Sequence, residues 1–280
     1  MDRNYFDLSG RVALVTGCST GLGVQMAEAL ASAGASIVPV ARRTQLIESV
    51  AGRLAGEFGV ETMPVRCDVT STENVDAVVD AALERFGRID VLVSDAGTGA
   101  IGNAEEITDE QFRQELEVDP FGTFRVARAV AGRAMIPAGY GRIINIASMY
   151  GLVGNMVAGS TPYHAAKGGV VNLTRALAAE WGGHGITVNA ICPGYFYTKS
   201  HRRDTRQRLL PAARQGHDPG AALRAGRRAR HGGALPGLPG LLLRHRRGGA
   251  GRRRLHRDLI VRPDRPSGRV PGRCASATTA

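Results

Sequence analysis

The stretch RVALVTGCSTGLG, residues 11–23, constrains the fold more than any other part of the chain. Residues 11–16 form a short apolar run with β-branched side chains, the pattern of a strand buried on both faces. The run ends in glycines. Leu22 then opens a helical stretch that reaches about Ala33 and closes at Gly34. A strand that passes through a glycine-rich turn into a helix begins a parallel βαβ unit.

The same alternation continues along the chain. Residues 36–41 predict a second strand, with Pro39 an awkward guest in it. A helix is expected over residues 44–58 and a third strand over 62–67. From Thr72, the residues Val75, Val78, Val79, Ala82, Leu83 and Phe86 recur at helical spacing until Gly87 stops them. A fourth strand is expected over 90–93. Thr108 and Gln111 make a capping box for a long helix reaching about Met135. Residues 142–146 read as a fifth strand. A helix over 163–181 follows, stopped by Gly182 and Gly183, and then a sixth strand over 187–191. This pattern predicts an α/β fold: a Rossmann-type, doubly wound parallel sheet covered on both faces. Ligands of such sheets lie at the carboxyl ends of the strands, where the strand order reverses.

Charge divides the chain. Residues 1–198 hold 15 Lys+Arg against 21 Asp+Glu, and residues 199–280 hold 21 against 4. The formal net charge of +11 therefore belongs to the second stretch alone. In that stretch every base but Lys199 is Arg, and Glu is absent. Cys18, Cys67, Cys192 and Cys274 are too scattered for a disulfide framework or a metal site, and no metal is expected. The opening MDRNYFDLSG is polar and no apolar run is bilayer-long, so a cytoplasmic, reduced protein without a membrane partner is expected.

Three further motifs follow the glycine-rich turn in fixed order: SDAG at residues 94–97, Ser148, and YHAAK at residues 163–167. With TGCSTGLG at residues 16–23 they carry a resemblance to the short-chain dehydrogenase/reductases over roughly residues 6–198. FDLSGRVALVTG and GRIINIASMYGLVG are most similar to the gluconate 5-dehydrogenase-like or 3-oxoacyl-carrier-protein-reductase-like branches of that family. The resemblance implies reversible oxidation of a secondary alcohol to a ketone with NAD(P), on a small-molecule substrate. It implies that Tyr163 is the acid/base, that Lys167 lowers its pKa and grips the nicotinamide ribose, and that Ser148 orients the carbonyl. It also implies a homodimer or homotetramer.

By the same resemblance the dinucleotide lies on Gly17, Ser19, Thr20, Gly21, Leu22 and Gly23, with its pyrophosphate at the helix N-terminus. Asp68 and Val69 stand near the adenine, Ala96 and Gly97 form the floor, and Pro193, Gly194 and Thr198 close over the nicotinamide. An NAD-preferring chain usually has an acid at the end of the second strand. Ala41 stands there, and Arg42 after it suits a 2′-phosphate, so NADP is the expected cofactor, with NAD possible. Asp68 equally reads as a turn residue before Thr70.

The chain departs from the family at two acids. The usual Asn-Asn-Ala-Gly is Ser94-Asp95-Ala96-Gly97, and an ionised Asp95 only accepts hydrogen bonds. The Asn that holds a relay water is Asp119, a carboxylate able to compete for the charge of Lys167.

After Thr198 the resemblance stops. Permitted codons for HRRDTRQRLL, residues 201–210, read one base later as TAETLDSDSF. Those for AGRRRLHRD, residues 250–258, read as PVDGGYTAT, and Leu259 with Ile260 then supplies a stop. The family ends in a strand of roughly VDGGY, so residues 199–280 read as a slip of frame near Lys199, a non-native and largely disordered tail. Two rivals stand beside the enzyme reading: an inactive remnant, and a genuine basic tail that binds nucleic acid.

Overall fold

A computed structural model describes residues 6–154 and 159–196. The expectations for Thr198 and for residues 199–280 lie outside the described residues. Six strands form one parallel sheet: β1 (Val12–Thr16), β2 (Ser36–Ala41), β3 (Val65–Arg66), β4 (Val91–Ser94), β5 (Gly141–Ile146) and β6 (Ile186–Ile191). Their order is β3-β2-β1-β4-β5-β6, so the winding reverses between β1 and β4.

Alternation along each strand builds the two faces. Leu14, Val38, Leu92, Ile143 and Val188 point into one core. That core also takes Val75, Val78 and Val79 of α3 (Thr72–Phe86). Ala13, Val15, Ile37, Val91 and Val93 point the other way, onto Ala27 and Ala31 of α1 (Leu22–Ser32) and Val50 and Leu54 of α2 (Thr44–Phe58). The Leu177 and Trp181 end of α7 (Thr161–Trp181) joins the first core. Each strand is apolar on both sides because each side is covered.

Pro39 lies within β2, in register with Val15. Ser36 N–H donates to Arg11 O on the β1 side, and Ile37 N–H donates to Glu61 O on the other, each at 2.9 Å. Alternation puts the Pro39 nitrogen on the side of Ile37. The missing donor therefore faces β3 and leaves the β1–β2 ladder whole. On that side the third strand is shorter than expected. Over residues 62–67 only Val65 and Arg66 form a strand, with an isolated bridge at Thr62. Pro64 separates the two.

The long helix expected up to Met135 is helical throughout but not one α-helix. The Thr108–Gln111 capping box is formed and opens α4 (Asp109–Leu116). A wider π turn, Glu117–Phe121, precedes α5 (Gly122–Val130). A second, Ala131–Met135, precedes the single turn α6 (Ile136–Ala138). Pro120 has no N–H and sits in the first π turn, where the α ladder is already interrupted. Among the described residues no helix is long and apolar enough to cross a membrane.

Candidate active site

The site is built where β1 and β4 end side by side. Thr16 Oγ1 accepts from the Asp95 and Ala96 amides at 3.1 and 3.2 Å, tying the two strand ends together. Gly17 leaves β1 at φ +70°, and a Cβ on it would lie 2.7 Å from the Asp95 backbone. Only glycine fits both the conformation and the approach. Gly21 then caps α1 with no side-chain hydrogen bond, and the first turn of α1 carries no acid. Its first amides thus lack a capping side chain, which suits an anion. The structure brings Gly17, Ser19, Thr20, Gly21, Leu22 and Gly23 together in this one turn, and the turn fits a dinucleotide pyrophosphate.

The cation over the turn is not the one the sequence singled out. Arg43 donates to Ser19 Oγ at 2.6 Å and to Thr20 Oγ1 at 3.2 Å. Arg42 is exposed, and its charge falls on Asp68. Asp68 accepts from the Thr70 amide (3.0 Å) and hydroxyl (2.8 Å), the turn role weighed for it. Burial opposes its ionisation, but the Thr70 bonds and the charges of Arg42 and Arg66 outweigh it and hold the carboxyl below its ordinary value. Val69 is buried beside Gly122.

Beneath the turn lies Asp95. Burial pushes its carboxyl up to about 7. Lys167 and a bond from the Gly23 amide pull the other way, and Asp119 adds to the rise. Gly97 follows, and a Cβ there would lie 2.9 Å from Asp119 Oδ1 and 3.3 Å from Lys167 Nζ. A side chain at position 97 would therefore displace Asp119 or Lys167.

Ser148 follows β5 and is buried, its Oγ accepting from the Tyr150 amide at 3.2 Å. The Met149 amide donates to Pro193 O at 3.0 Å, which draws Pro193 and the exposed Gly194 to the same strand end. Pro162 starts α7, and Tyr163 and Lys167 follow one turn apart on one face. Lys167 is 5% exposed and its Nζ lies 5.6 Å from the centroid of the Tyr163 ring. It donates to Asp119 Oδ1 at 2.5 Å and to Ile146 O at 3.0 Å. Burial alone would discharge it. Asp119, Tyr163 and Asp95 outweigh that and hold its ammonium above the ordinary lysine value.

Three contributors have no motif behind them. Tyr150 meets the Tyr163 ring edge-on at 6.4 Å, stacks on His164 at 4.7 Å, and shares a hydroxyl hydrogen bond with Tyr195. Arg43 needed only the next position along. Glu115 stands four residues before Asp119, at a helical repeat where an apolar residue would be expected, and that was the one visible signal for it.

The chain matches the short chain dehydrogenase family over residues 11–209, a stretch that passes the boundary at 198. It is 38% identical over 216 residues to D-threitol dehydrogenase of Mycolicibacterium smegmatis, covering 75% of this chain and 82% of that one. It is 42% identical over 189 residues to a putative ketoacyl reductase of Streptomyces coelicolor, covering 67% and 71%. The crystal structure of a gluconate 5-dehydrogenase from Burkholderia cenocepacia, in complex with NADP and tartrate, superposes with a TM-score of 0.66 at 36% identity, covering 71% and 76%. Sheet order, glycine turn and family match agree: the chain belongs to the short-chain dehydrogenases, NAD(P)-dependent oxidoreductases that interconvert secondary alcohols and ketones.

Proposed function

We propose that Tyr163 is the acid/base of this enzyme, Lys167 its electrostatic partner and Ser148 the group that holds the substrate oxygen. The buried ammonium of Lys167, 5.6 Å from the Tyr163 ring centroid, carries the reading. A tyrosine phenol in water ionises only near a pH of about 10, and a fixed positive charge beside it favours the phenolate. In the oxidative direction Tyr163 takes the hydroxyl proton while Ser148 hydrogen-bonds the same oxygen. The bound nicotinamide supplies hydride transfer at the substrate carbon. Lys167 would also hold the nicotinamide ribose, and Asp119 limits how much of its charge is available.

NADP is the proposed cofactor, because no acid stands at Ala41 and Arg42 and Arg43 follow it. Asp68, Val69, Ala96, Gly97, Pro193, Gly194 and Thr198 complete the proposed cofactor contacts. Residues 1–198 form the catalytic unit, and residues 199–280 are a shifted reading frame. The working protein is a cytoplasmic homodimer or homotetramer without a nucleic-acid partner. These readings rest on the charge division, the hidden VDGGY ending and the family resemblance.

Tyr163→Phe keeps the ring and removes the proton carrier. Turnover on alcohol or ketone substrates should fall by roughly 10²- to 10⁴-fold while NADPH still binds. A variant that keeps a substantial share of turnover on every substrate tested would remove Tyr163 from this role.

A further inference from the structure

Two acids share the buried space behind Lys167, and one cation faces them. Glu115 is 2% exposed and Asp119 is fully buried. Glu115 Oε2 accepts from the Thr98 hydroxyl and the Ala100 amide, each at 2.9 Å. No donor among the described residues reaches Glu115 Oε1, and the two carboxyls converge on one residue, Thr98, whose hydroxyl donates to Glu115 and whose amide donates to Asp119. Asp119 accepts from Lys167 at 2.5 Å and from the Thr98 amide at 3.3 Å. Two ionised carboxylates only accept and cannot bond to each other. A second buried carboxylate without a cation of its own is also costly. One proton between the pair removes both difficulties.

We propose that Glu115 and Asp119 share a single proton, making Glu115 a positioning residue that sets how strongly Asp119 draws on the charge of Lys167. Its bearing on turnover rests on the reading of Tyr163 and Lys167 as the acid/base pair. The charged groups facing the pair are Lys167 from α7 and Asp95 from the end of β4, and Tyr163 of α7 faces Lys167. Burial and the charge of Asp119 keep Glu115 protonated above its ordinary range, against the bonds from Thr98 and Ala100. With one shared proton, Glu115, Asp119 and Lys167 together are neutral. Glu115 then donates to Asp119, which holds Lys167 less tightly and leaves its field on Tyr163. As pH rises the proton leaves to solvent and the pair carries two negative charges. Asp119 then screens the charge of Lys167 from Tyr163 more strongly. Such a pair titrates as a unit.

Infrared difference spectroscopy of the whole chain, titrated with pH in D₂O, reads the carbonyl stretch of a protonated carboxyl without requiring turnover. A band is expected to persist above the pH at which an ordinary glutamate loses its proton, and to vanish as pH rises further. Read in an Asp95→Asn background, which removes the band of the raised Asp95 carboxyl, it should be missing in Glu115→Gln, which keeps an acceptor for Thr98 and Ala100. In Asp119→Asn the band should move to lower pH by about one unit or more, because the neighbouring charge is gone. Asp119→Asn alone decides the matter if Glu115→Gln does not fold. In turnover, Glu115→Gln should remove the pair's ionisation from the pH–rate profile. Spectra identical with and without Glu115 throughout the titration, or an Asp119→Asn band that does not move, overturn the shared proton. If both bands behave as expected while Tyr163→Phe keeps its turnover, it is the acid/base reading that fails.

Discussion

Asp95 is the residue at which burial and ionisation conflict most directly. Its carboxyl, with an ordinary value of 3.8, is raised to about 7 by burial under the glycine turn. A carboxyl raised on folding binds its proton more tightly in the native state than in the unfolded chain. Its contribution to stability is full below the unfolded value and is lost as pH climbs through 3.8 toward about 7. Asp95→Asn keeps an acceptor for the Gly23 amide and does not ionise. Relative to the unmutated chain it should gain stability between pH 4 and 7, reaching on the order of 2 to 4 kcal/mol near neutrality. Urea melts across that range check this, and a difference that stays flat with pH would show that Asp95 keeps its ordinary value. At the second-strand end, NADPH should bind more tightly than NADH, and Arg42→Ala should erase most of the difference. Arg43→Ala removes bonds to Ser19 and Thr20 and should weaken both cofactors alike. Fluorescence titration of the two cofactors separates these outcomes, and equal affinities in the unmutated chain would rule out the NADP reading. Ser148, Tyr163, Lys167 and the glycines were legible because each is an identity demanded at a fixed distance from a strand end or helix start. Tyr150 and Arg43 were not, because only tertiary contact gives them a partner, and Glu115 showed only as an acid at an apolar helical position.

The helical run from α4 to α6 sets the height of Asp119 against Lys167, and its start carries a complete capping box. Thr108 Oγ1 accepts from the Gln111 amide at 3.2 Å, and the Gln111 side chain accepts from the Thr108 amide at 2.9 Å. Thr108→Ala removes half of this exchange and should lower stability by about 1 kcal/mol. Cofactor affinity should stay unchanged, because Thr108 is exposed and its capping bonds run to Gln111. Thermal melts with a parallel NADPH titration check both halves, and a loss of binding without a loss of stability would contradict the assignment. The capping box was readable because it is local: four residues contain donor and acceptor alike. The π turns beyond it were not, since residues 109–135 keep an apolar spacing that suits a plain α-helix. Pro120 sits in the first of them, where its missing N–H is absorbed without ending the helix. Pro39 and Pro64 show the same limit in the sheet. A proline removes a ladder bond on one side only, and which side depends on the register with β1 and β3.

At the scale of the molecule the decisive feature is β6. It pairs with β5 along its whole length, from Gly141↔Ile186 to Ile146↔Ile191, and among the described residues no strand pairs with its other edge. An open edge of alternating apolar residues such as Ile186, Val188 and Ala190 is a template for association with another chain. The family resemblance places a final strand there, and the shifted reading of residues 250–258 contains VDGGY, the sequence of that strand. In the frame as given, LLPAA and ALPGLPGLLL are apolar but broken by Pro and Gly, and 21 Lys+Arg stand against 4 Asp+Glu in residues 199–280. Arginines at that density resist burial without partners. Restoring the alternative frame from about codon 199 should therefore raise both the soluble fraction and the turnover, because it closes the β6 edge and supplies the family's substrate-covering segment. The two chains, expressed side by side and assayed for alcohol-dependent NADPH formation, decide the point. Equal solubility and equal turnover would mean that residues 199–280 as given already do what the family's own ending does, and the frame reading would fall with that result.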